Sequence, residues 1–258
     1  MRKTLSVAII TRNEEANLAR TLGSVAWADE IVVVDSGSSD RTEEIARSFR
    51  SHFFLEEWKG FAAQKNSALE KCSCDWILSL DADESLSDPL AKEIWELLEG
   101  DPPFDGYALP RRNLFLDRWM RFGGFYPDRK LRLFRRGAAE FEARPVHETL
   151  HFVGKAGRLH GDMVHEAYPS LEAYIAHMDR YSTLGAEQAA REGKDVRSPW
   201  GFAVNVVVNP VATFVYNYFF RLGFLDGREG LLLHLYHSVY VSWKYGKAWA
   251  QGRRRAVV

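Results

Sequence analysis

Three acidic side chains end one apolar run in 76-WILSLDADESL-86: Asp81, Asp83 and Glu84. Residues i and i+2 of an extended segment point to the same side, so Asp81 and Asp83 are expected to reach one divalent cation, directly or through water and a ribose hydroxyl. Mg²⁺ and Mn²⁺ usually take one or two carboxylates together with substrate phosphates. The alternative is an acidic cluster that only complements a helix dipole. Because the pair follows a predicted buried strand, we favour a metal site.

A second polar cluster, 32-VVVDSGSSDRT-42, also follows a run of β-branched residues. An acid directly after a strand can accept hydrogen bonds from a nucleobase or a ribose, and a glycine permits close approach of the backbone. Asp35 and Gly37 are therefore candidate nucleotide contacts. The alternative is an ordinary Asp/Ser/Gly turn, and the spacing of Asp40 and Glu43 predicts a capping box that starts the next helix.

A third cluster, 11-TRNE-14, follows the apolar run Leu5–Ile10. The chain has neither G-x-G-x-x-G nor a Walker A sequence, so dinucleotide binding and ordinary ATP hydrolysis are disfavoured. A sugar nucleotidyltransferase is also disfavoured, because such an enzyme would carry a glycine-rich basic loop after its first strand. The formal net charge of −1 gives no bias towards nucleic acid as a partner.

Alternating strands and helices over the first hundred residues must position these three clusters. This alternation predicts βαβ units and a parallel sheet. Right-handed crossovers then bring the carboxyl ends of the strands to one edge, where open α/β sheets bind ligands. The predicted strands are Leu5–Ile10, Ile31–Val34, His52–Leu55 and Trp76–Leu80, followed after a change of pattern by Tyr107–Pro110, Leu131–Phe134 and Thr149–Val153. After the fourth of these strands, Asp88 and Pro89 predict the N-cap and the first residue of a helix.

From Leu171 onward the sequence is predicted to be helical, and it becomes strongly apolar and aromatic between Trp200 and Trp249. One run, 202–220, approaches the length of a membrane span but is interrupted by three asparagines and a proline. We predict helices that lie on an anionic membrane surface and end in the basic tail Arg253–Arg255. The alternatives are a helical pair packed on the sheet, an oligomer interface, or a true span.

Two remaining features bear on the compartment. Cys72 and Cys74 are too close for an ordinary disulfide and too few for a zinc site, so both are expected to stay reduced. The apolar run near the amino terminus is only about six residues and turns charged at once, which is typical of a strand and not of a signal peptide. A cytosolic catalytic part is therefore expected.

Four segments, ITRNEEANLARTLGSV, IVVVDSGSSDRTEEIA, GFAAQKNSAL and DWILSLDADE, together resemble the successive motifs of family 2 glycosyltransferases with the GT-A fold. Three further segments, GGFYPDRKLRLFRR, RPVHE and RLGFLDGREGLLL, are similar to a bacterial subgroup, the β-1,4-glucosyltransferases that extend the inner core of lipopolysaccharide. The resemblance covers roughly residues 4–245. It implies a Rossmann-like α/β fold of the nucleotide-diphospho-sugar transferase type, with a mixed sheet flanked by helices and a C-terminal helical extension.

The same resemblance implies an inverting glycosyltransferase that moves a sugar, glucose from UDP-glucose, onto a lipid-linked acceptor such as a lipopolysaccharide core heptose. The enzyme would work at the cytoplasmic face of a bacterial inner membrane with Mn²⁺ or Mg²⁺ as its cofactor. Residues 1–100 would bind the nucleotide sugar, 101–170 would bind the acceptor, and 171–258 would associate with the membrane. A non-catalytic sugar-nucleotide-binding or scaffold protein is the alternative, and a homo-oligomer remains open.

The resemblance also implies roles for individual residues. Contacts to the nucleotide sugar are expected from Thr11, Asn13, Glu14, Asp35, Gly37, Lys65, Asp81, Ala82 and Asp83. Lys65 would lie near the diphosphate, and a solvated helix charge is the alternative for it. Metal ligands are expected at Asp83, Asp81 and His165, with a purely structural role as the alternative for His165 and with His160 as a weaker candidate.

A general base is required because a hydroxyl is a poor nucleophile until its proton is removed. The candidates are Glu148 and Asp128, and we favour Glu148 because a His-Glu pair recurs in this part of related transferases. Arginines pair with phosphates or carboxylates and aromatic rings stack on sugars. Acceptor contacts are expected from Arg111, Arg112, Tyr126, Arg129 and His147; a solvated basic loop with packing aromatics is the alternative.

Overall fold

The computed structural model describes residues 2–142, 149–194, 196 and 198–255. The chain forms two compact units. The sheet unit comprises residues 1–112 and 127–166, and the helical unit comprises residues 113–126 and 167–258. The expected functional division at residue 170 stays a prediction.

The described strands are β1 Leu5–Thr11, β2 Glu30–Asp35, β3 His52–Leu55, β4 Trp76–Asp81, β5 Glu84–Leu86, β6 Gly106–Phe115, β7 Arg118–Trp119, β8 Asp128–Arg135, β9 Ala139–Glu142, β10 Thr149–Phe152, β11 Ala156–Arg158 and β12 Met163–Tyr168. A ten-stranded sheet forms the scaffold: eight of its strands follow the order β3-β2-β1-β4-β8-β6-β12-β5, and β7 and β11 each pair with β6. β9 and β10 form a separate pair. The neighbouring strands β3, β2, β1 and β4 are parallel, and β8 runs antiparallel to β4. The predicted mixed α/β fold is therefore confirmed.

The helices lie between and after these strands. They are α1 Leu18–Ser24, α2 Thr42–Ser48, α3 Phe61–Glu70, α4 Asp88–Glu99, α5 Leu171–Arg191, α6 Pro199–Ala203, α7 Asn209–Val215 and α8 Gly227–Arg255. Two π-helical segments, Val204–Val208 and Tyr216–Phe220, continue α6 and α7, and a 3₁₀ turn at Gly223–Asp226 precedes α8.

The central strands are apolar on both faces because each face is covered by helices. Val7 and Ile9 of β1 pack in one core cluster with Leu22 of α1. Ala8, between them, packs in a second cluster with Ala62 of α3. Burial of one such Val, Leu or Ile side chain contributes roughly 1.5–3 kcal/mol, so this double coverage fixes the register of β1.

Two helix starts differ from the sequence prediction. Asp40 does not form a capping box: α2 begins at Thr42, and the Asp40 carboxylate accepts the N–H of Thr42 only two residues away. The cap of α4 is Ser87, whose hydroxyl accepts the N–H of Leu90, and not Asp88. At α4 a neighbouring serine reaches the free N–H as easily as the aspartate would, and at α2 Asp40 lies two residues before the first helical residue; sequence spacing resolves neither difference.

Within the helical unit, α5 and α8 pack together around Tyr174, Met178 and Leu233. The continuous helical segment Pro199–Phe220 is long and apolar enough to cross a membrane by length and composition, as judged over the described residues. Pro210 has no N–H to donate to the carbonyl of Val206, and that carbonyl accepts the hydroxyl of Ser242 instead, at 2.9 Å.

Candidate functional site

The carboxyl ends of β1, β2 and β4 lie side by side, as the three polar clusters predict. Thr11 of β1 is in register with Asp35 of β2, and Ile10 is in register with Asp81 of β4. All candidate nucleotide-sugar residues except Lys65 therefore lie at or just beyond one edge of the sheet.

The Asp35 carboxylate organises the loop that follows β2. It accepts the N–H groups of Gly37 and Ser38 at 2.9 and 2.8 Å. Gly37 has a φ of +85° and open space where a Cβ would lie, so the loop leaves room beside its backbone. The Thr11 hydroxyl is buried nearby and has no hydrogen-bond partner among the described residues, which leaves it available to a ligand.

Asn13 joins the loop after β1 to the loop after β2. Its amide oxygen accepts the N–H of Ser39 at 2.8 Å, and its own N–H donates to the Ser38 hydroxyl at 2.8 Å. Asn13 adopts a left-handed φ of +55°, a conformation that Asn tolerates better than most residues. The two loops consequently form one hydrogen-bonded rim.

Glu14 carries the strongest sign of excess negative charge at this edge. Burial raises its pKa above the usual value, and the charges of Asp83 and Asp81 add to the rise, against the lowering effect of a hydrogen bond from Asn17. A carboxyl group whose pKa is raised in this way would ionise more readily if a cation bound beside it.

Asp81 is already neutralised by two basic side chains. Its oxygens lie 2.8 Å from Lys65 Nζ and 2.7 Å from an Arg132 Nη. Burial opposes ionisation of Asp81, but Arg132 and Lys65 outweigh it and hold the pKa of Asp81 well below its usual range. Lys65, which was expected near a diphosphate, thus forms an ion pair with Asp81, the first acid of the D-x-D sequence.

Asp83 faces the side chain predicted to return from late in the chain. His165 Nε2 lies 3.3 Å from Asp83 Oδ2, and both side chains are partly exposed. The contact arises because β12 pairs with β5, which sets His165 opposite Glu84, and because Glu166 donates its N–H to the Asp83 carbonyl. One carboxylate and one imidazole are a donor set that fits Mn²⁺ or Mg²⁺ when substrate phosphates supply further oxygens.

The described residues contain no group of three or more His, Cys, Asp or Glu side chains arranged to hold a metal ion. Asp81 is turned towards Lys65 and Arg132, and Asp83 pairs with His165. The two acids of D-x-D therefore have different surroundings in the structure.

Two residues that sequence reasoning missed connect this edge to β8. Glu84 is fully buried, and its Oε1 accepts from Arg132 and from Arg111 at 2.8 and 3.0 Å. Arg132 is 7% exposed and lies between two leucines of β8, the position of a core residue. The arginine between apolar residues in LRLFRR was the sequence signal for Arg132. An arginine buried there would require acidic partners.

Asp128, the second candidate base, is held by two cations. Arg111 donates to one of its oxygens through both Nε and Nη2, at 3.0 and 2.6 Å, and Lys130 lies 3.1 Å from the other. Burial opposes ionisation, but Arg111 and Lys130 outweigh it and lower the pKa of Asp128. Glu148 and His147 lie outside the described residues.

The candidate acceptor residues of the sheet unit have partners within that unit. Arg112 pairs with Asp162, and Arg129 donates to the Leu159 carbonyl at 3.0 Å. Tyr126 belongs to the helical unit, where its ring lies edge-on to Trp119 with a centroid distance of 5.0 Å.

A parallel β1–β4 edge that carries acidic loops, followed by antiparallel strands that return a histidine to the second acid, is the mixed-sheet arrangement expected of the GT-A fold. Residues 6–150 match Glycosyl transferase family 2, and the chain belongs to this family. The predicted family is therefore confirmed.

Similar proteins agree with this assignment. The chain is 34% identical to the lipopolysaccharide core biosynthesis glycosyltransferase LpsC of Rhizobium meliloti over 86% of this chain and 82% of that protein. It is 31% identical to an uncharacterized glycosyltransferase of Rickettsia typhi over 89% and 81%. Among solved structures, the mannosyltransferase PcManGT from Pyrobaculum calidifontis, in complex with GDP-Man and Mn²⁺, matches with a TM-score of 0.54 at 18% identity, over 96% of this chain and 87% of that chain. This likeness supports the GT-A fold.

Proposed function

We propose that this protein is a metal-dependent, inverting glycosyltransferase that moves glucose from UDP-glucose onto a lipid-linked acceptor, a lipopolysaccharide core heptose. Membership of family 2 and the role of the similar protein LpsC in lipopolysaccharide core biosynthesis support the reaction class and the acceptor class. The observation that carries the proposal is the pairing of His165 with Asp83 at 3.3 Å, beside Asp81 with its two cations.

Asp83 and His165 would hold the divalent cation, and when bound it would supply Lewis-acid neutralisation of the departing diphosphate. The presence of Mn²⁺ with the nucleotide sugar in PcManGT supports this role. Lys65 and Arg132 keep Asp81 ionised and oriented, so that Asp81 can accept a hydrogen bond from the donor ribose.

The rim formed by the loops after β1 and β2 would bind the nucleoside. Asp35 is anchored by backbone N–H groups and retains lone pairs for a base or a ribose. Thr11 supplies an unused hydroxyl, and Gly37 leaves space for a close approach.

Glu148 would act as the general base that takes the proton of the acceptor hydroxyl. A base works best when its pKa lies near the operating pH. The pKa of Asp128 is lowered by Arg111 and Lys130, which makes Asp128 a weak base and favours a binding role for it. Arg111, Arg112, Arg129 and His147 would contact the acidic acceptor.

The helical unit would bring the enzyme to the cytoplasmic face of the inner membrane, where a lipid-linked acceptor is concentrated. The segment Pro199–Phe220 exposes large apolar side chains, including Tyr216, Phe219 and Phe220. The proposal is peripheral contact, because three asparagines and Pro210 interrupt the apolar run.

The first experiment is calorimetric binding of UDP, UDP-glucose and other nucleotide sugars, with and without Mn²⁺, to the wild type and to Asp83→Ala. We expect binding that requires the cation and weakens at least about 10-fold in the variant, because one metal ligand is lost. The matched control is Glu43→Ala, which removes an exposed carboxylate that pairs with Arg47 on α2.

A transfer assay with UDP-[¹⁴C]glucose and truncated lipopolysaccharide ending in the inner-core heptose then tests the acceptor, and Glu148→Gln tests the base. The proposal fails if the folded wild type binds no nucleotide with any cation, which would favour the non-catalytic alternative. Nucleotide binding that is unaffected in Asp83→Ala would remove Asp83 from the metal site.

A further inference from the structure

Residues 119–126, here called the glycine loop, are fixed by hydrogen bonds to the turn before α8. The N–H groups of Arg121 and Phe122 donate to the two carboxylate oxygens of Asp226, at 3.2 and 2.9 Å. The next N–H, that of Gly123, donates to the Arg221 carbonyl at 2.9 Å. Three consecutive backbone donors are thus used by one short segment of the helical unit.

Asp226 is 2% exposed, so its charge is compensated by these donors and not by solvent. Charge-assisted hydrogen bonds from backbone N–H groups to a carboxylate are stronger than neutral ones. The loss of one would leave a backbone N–H without its charged acceptor, and the loop would lose its defined conformation.

Glycines allow the glycine loop and the turn to meet closely around His234. A Cβ on Gly123 would lie 2.0 Å from the His234 ring, and a Cβ on Gly223 would lie 2.3 Å from it. His234 is 1% exposed, and neither ring nitrogen has a hydrogen-bond partner in the part of the chain that the structure describes, so the ring serves as a packing surface between the two backbones. Gly123 has a φ of +66°, which is a second reason for glycine there.

The glycine loop carries Trp119 and Tyr126, whose rings meet edge-to-face. Arg121 stacks on Trp119 at 4.7 Å, so the loop presents an aromatic pair with a cation beside it. Aromatic faces and arginine are the groups that bind a sugar ring and an acidic substituent.

We propose that Asp226 is a positioning residue for the acceptor glycan: it fixes the backbone of the glycine loop, and the loop fixes the Trp119–Tyr126 pair that stacks on an acceptor sugar. The inference rests on the proposed function for the presence of an acceptor glycan. It assigns a role to Asp226, to Gly123 and to Trp119, none of which the motif analysis singled out for binding.

The test is Asp226→Asn, which keeps the size of the side chain but turns one acceptor into an N–H₂ that faces a backbone N–H. The matched control is Asp179→Asn, which removes an exposed carboxylate of α5 that pairs with Lys247. Hydrogen exchange of peptides covering residues 119–126 gives a readout that needs no catalysis. We expect these amides to exchange at least about 10-fold faster in Asp226→Asn than in the wild type, and at the wild-type rate in Asp179→Asn.

Kinetics of the same variants, with UDP-glucose and truncated lipopolysaccharide, separate positioning from general damage. We expect Asp226→Asn to raise the KM for the acceptor about 10-fold, with the KM for UDP-glucose and kcat within about 2-fold of the wild type. Gly124→Ala is the second variant, should Asp226→Asn not fold. Its Cβ would meet Arg221 Nη1 at 2.1 Å and disturb the loop from the other side.

Unchanged exchange of the loop in a folded Asp226→Asn would overturn the inference, because the carboxylate would then not fix the loop. Faster exchange with an unchanged acceptor KM, or with an equal rise in both KM values, would also overturn it. A wild type that transfers no sugar would instead refute the proposed function, while the exchange experiment would still decide whether Asp226 fixes the loop.

Discussion

At the scale of single residues, each of these buried charges of the sheet unit is compensated by neighbours of opposite charge. Arg132 is shared between Asp81 and Glu84, and Glu84 is shared between Arg132 and Arg111. Burial opposes the charge on Arg132, but the two acids outweigh it and raise its pKa above the usual value. Removal of one charge would therefore leave another without compensation inside the protein.

Arg132→Met should lower the free energy of unfolding by about 3 kcal/mol, because Glu84 is fully buried and would lose one of the two arginines that compensate its charge. Urea unfolding followed by tryptophan fluorescence measures the change. Arg47→Met, which breaks an exposed pair with Glu43, should cost less than about 1 kcal/mol. Equal stability of the two variants would mean that the buried pairs contribute little.

His234 predicts a dependence of stability on pH. Burial, with a contribution from His237, lowers the pKa of His234 from 6.5 to about 4. The unfolded chain therefore binds a proton between these values that the folded chain does not. Stability is lost as the pH falls from about 6.5 to 4, by roughly 3 kcal/mol from this group.

The comparison of wild type with His234→Leu isolates this contribution, because titrating carboxylates affect both proteins alike. The variant should be less stable at pH 7, where a packed ring is lost, and the gap should narrow as the pH falls to 4. Thermal melting at several pH values gives the answer. Parallel curves for the two proteins would show that His234 does not titrate in this range.

Residue types at strand ends were predictable from the sequence, but their partners were not. The three acidic clusters lie at one sheet edge because parallel strands must end together, and the sequence shows this alternation. The pairing of Arg132 with Asp81 depends on β8 lying beside β4, a contact between residues 51 positions apart. Local spacing carries no signal for such a contact.

At the scale of elements, strands that are short and charged escape sequence prediction. β5 has three residues, ESL, and all three are buried although two are polar. Acidic residues are depleted in strands, so the pattern gives no strand signal. Its pairing with β12 nevertheless sets His165 opposite Glu84, and that register brings His165 to Asp83.

The helical segment Pro199–Phe220 receives a hydrogen bond from Ser242 of α8. Ser242→Ala should lower stability by about 1 kcal/mol, because the Val206 carbonyl opposite Pro210 would lose its hydrogen bond. Ser238→Ala is the control, since the Ser238 hydroxyl donates to the Leu235 carbonyl in its own helix. Thermal melting of both variants tests this, and a larger loss for Ser238→Ala would contradict it.

At the scale of the whole molecule, charge is divided along the chain. Residues 199–258 contain seven Lys or Arg and two Asp or Glu, out of 34 and 35 in the full sequence. The preceding part is therefore acidic, although the net charge of the chain is only −1. Such a distribution favours contact of the C-terminal part with an anionic surface and disfavours contact of the acidic part.

This division predicts which vesicles the protein binds. Vesicles containing phosphatidylglycerol should bind it, and binding should weaken as salt rises, because basic residues near an anionic surface are screened within a Debye length. Purely phosphatidylcholine vesicles should bind it much less. Cosedimentation measures binding to both kinds of vesicle. Equal binding would show that anionic lipid does not attract the protein.

The double variant Phe219→Ser/Phe220→Ser tests whether apolar side chains contribute to vesicle binding. It replaces two rings that are 53% and 75% exposed. Transfer of an exposed ring into lipid contributes about 1.5–3 kcal/mol, so vesicle affinity should fall at least about 10-fold. Phe104→Ser, at an exposed position of the sheet unit, is the control and should leave vesicle binding unchanged. An unchanged affinity of the double variant would mean that these rings do not enter the bilayer, and that the basic residues alone hold the protein at the surface.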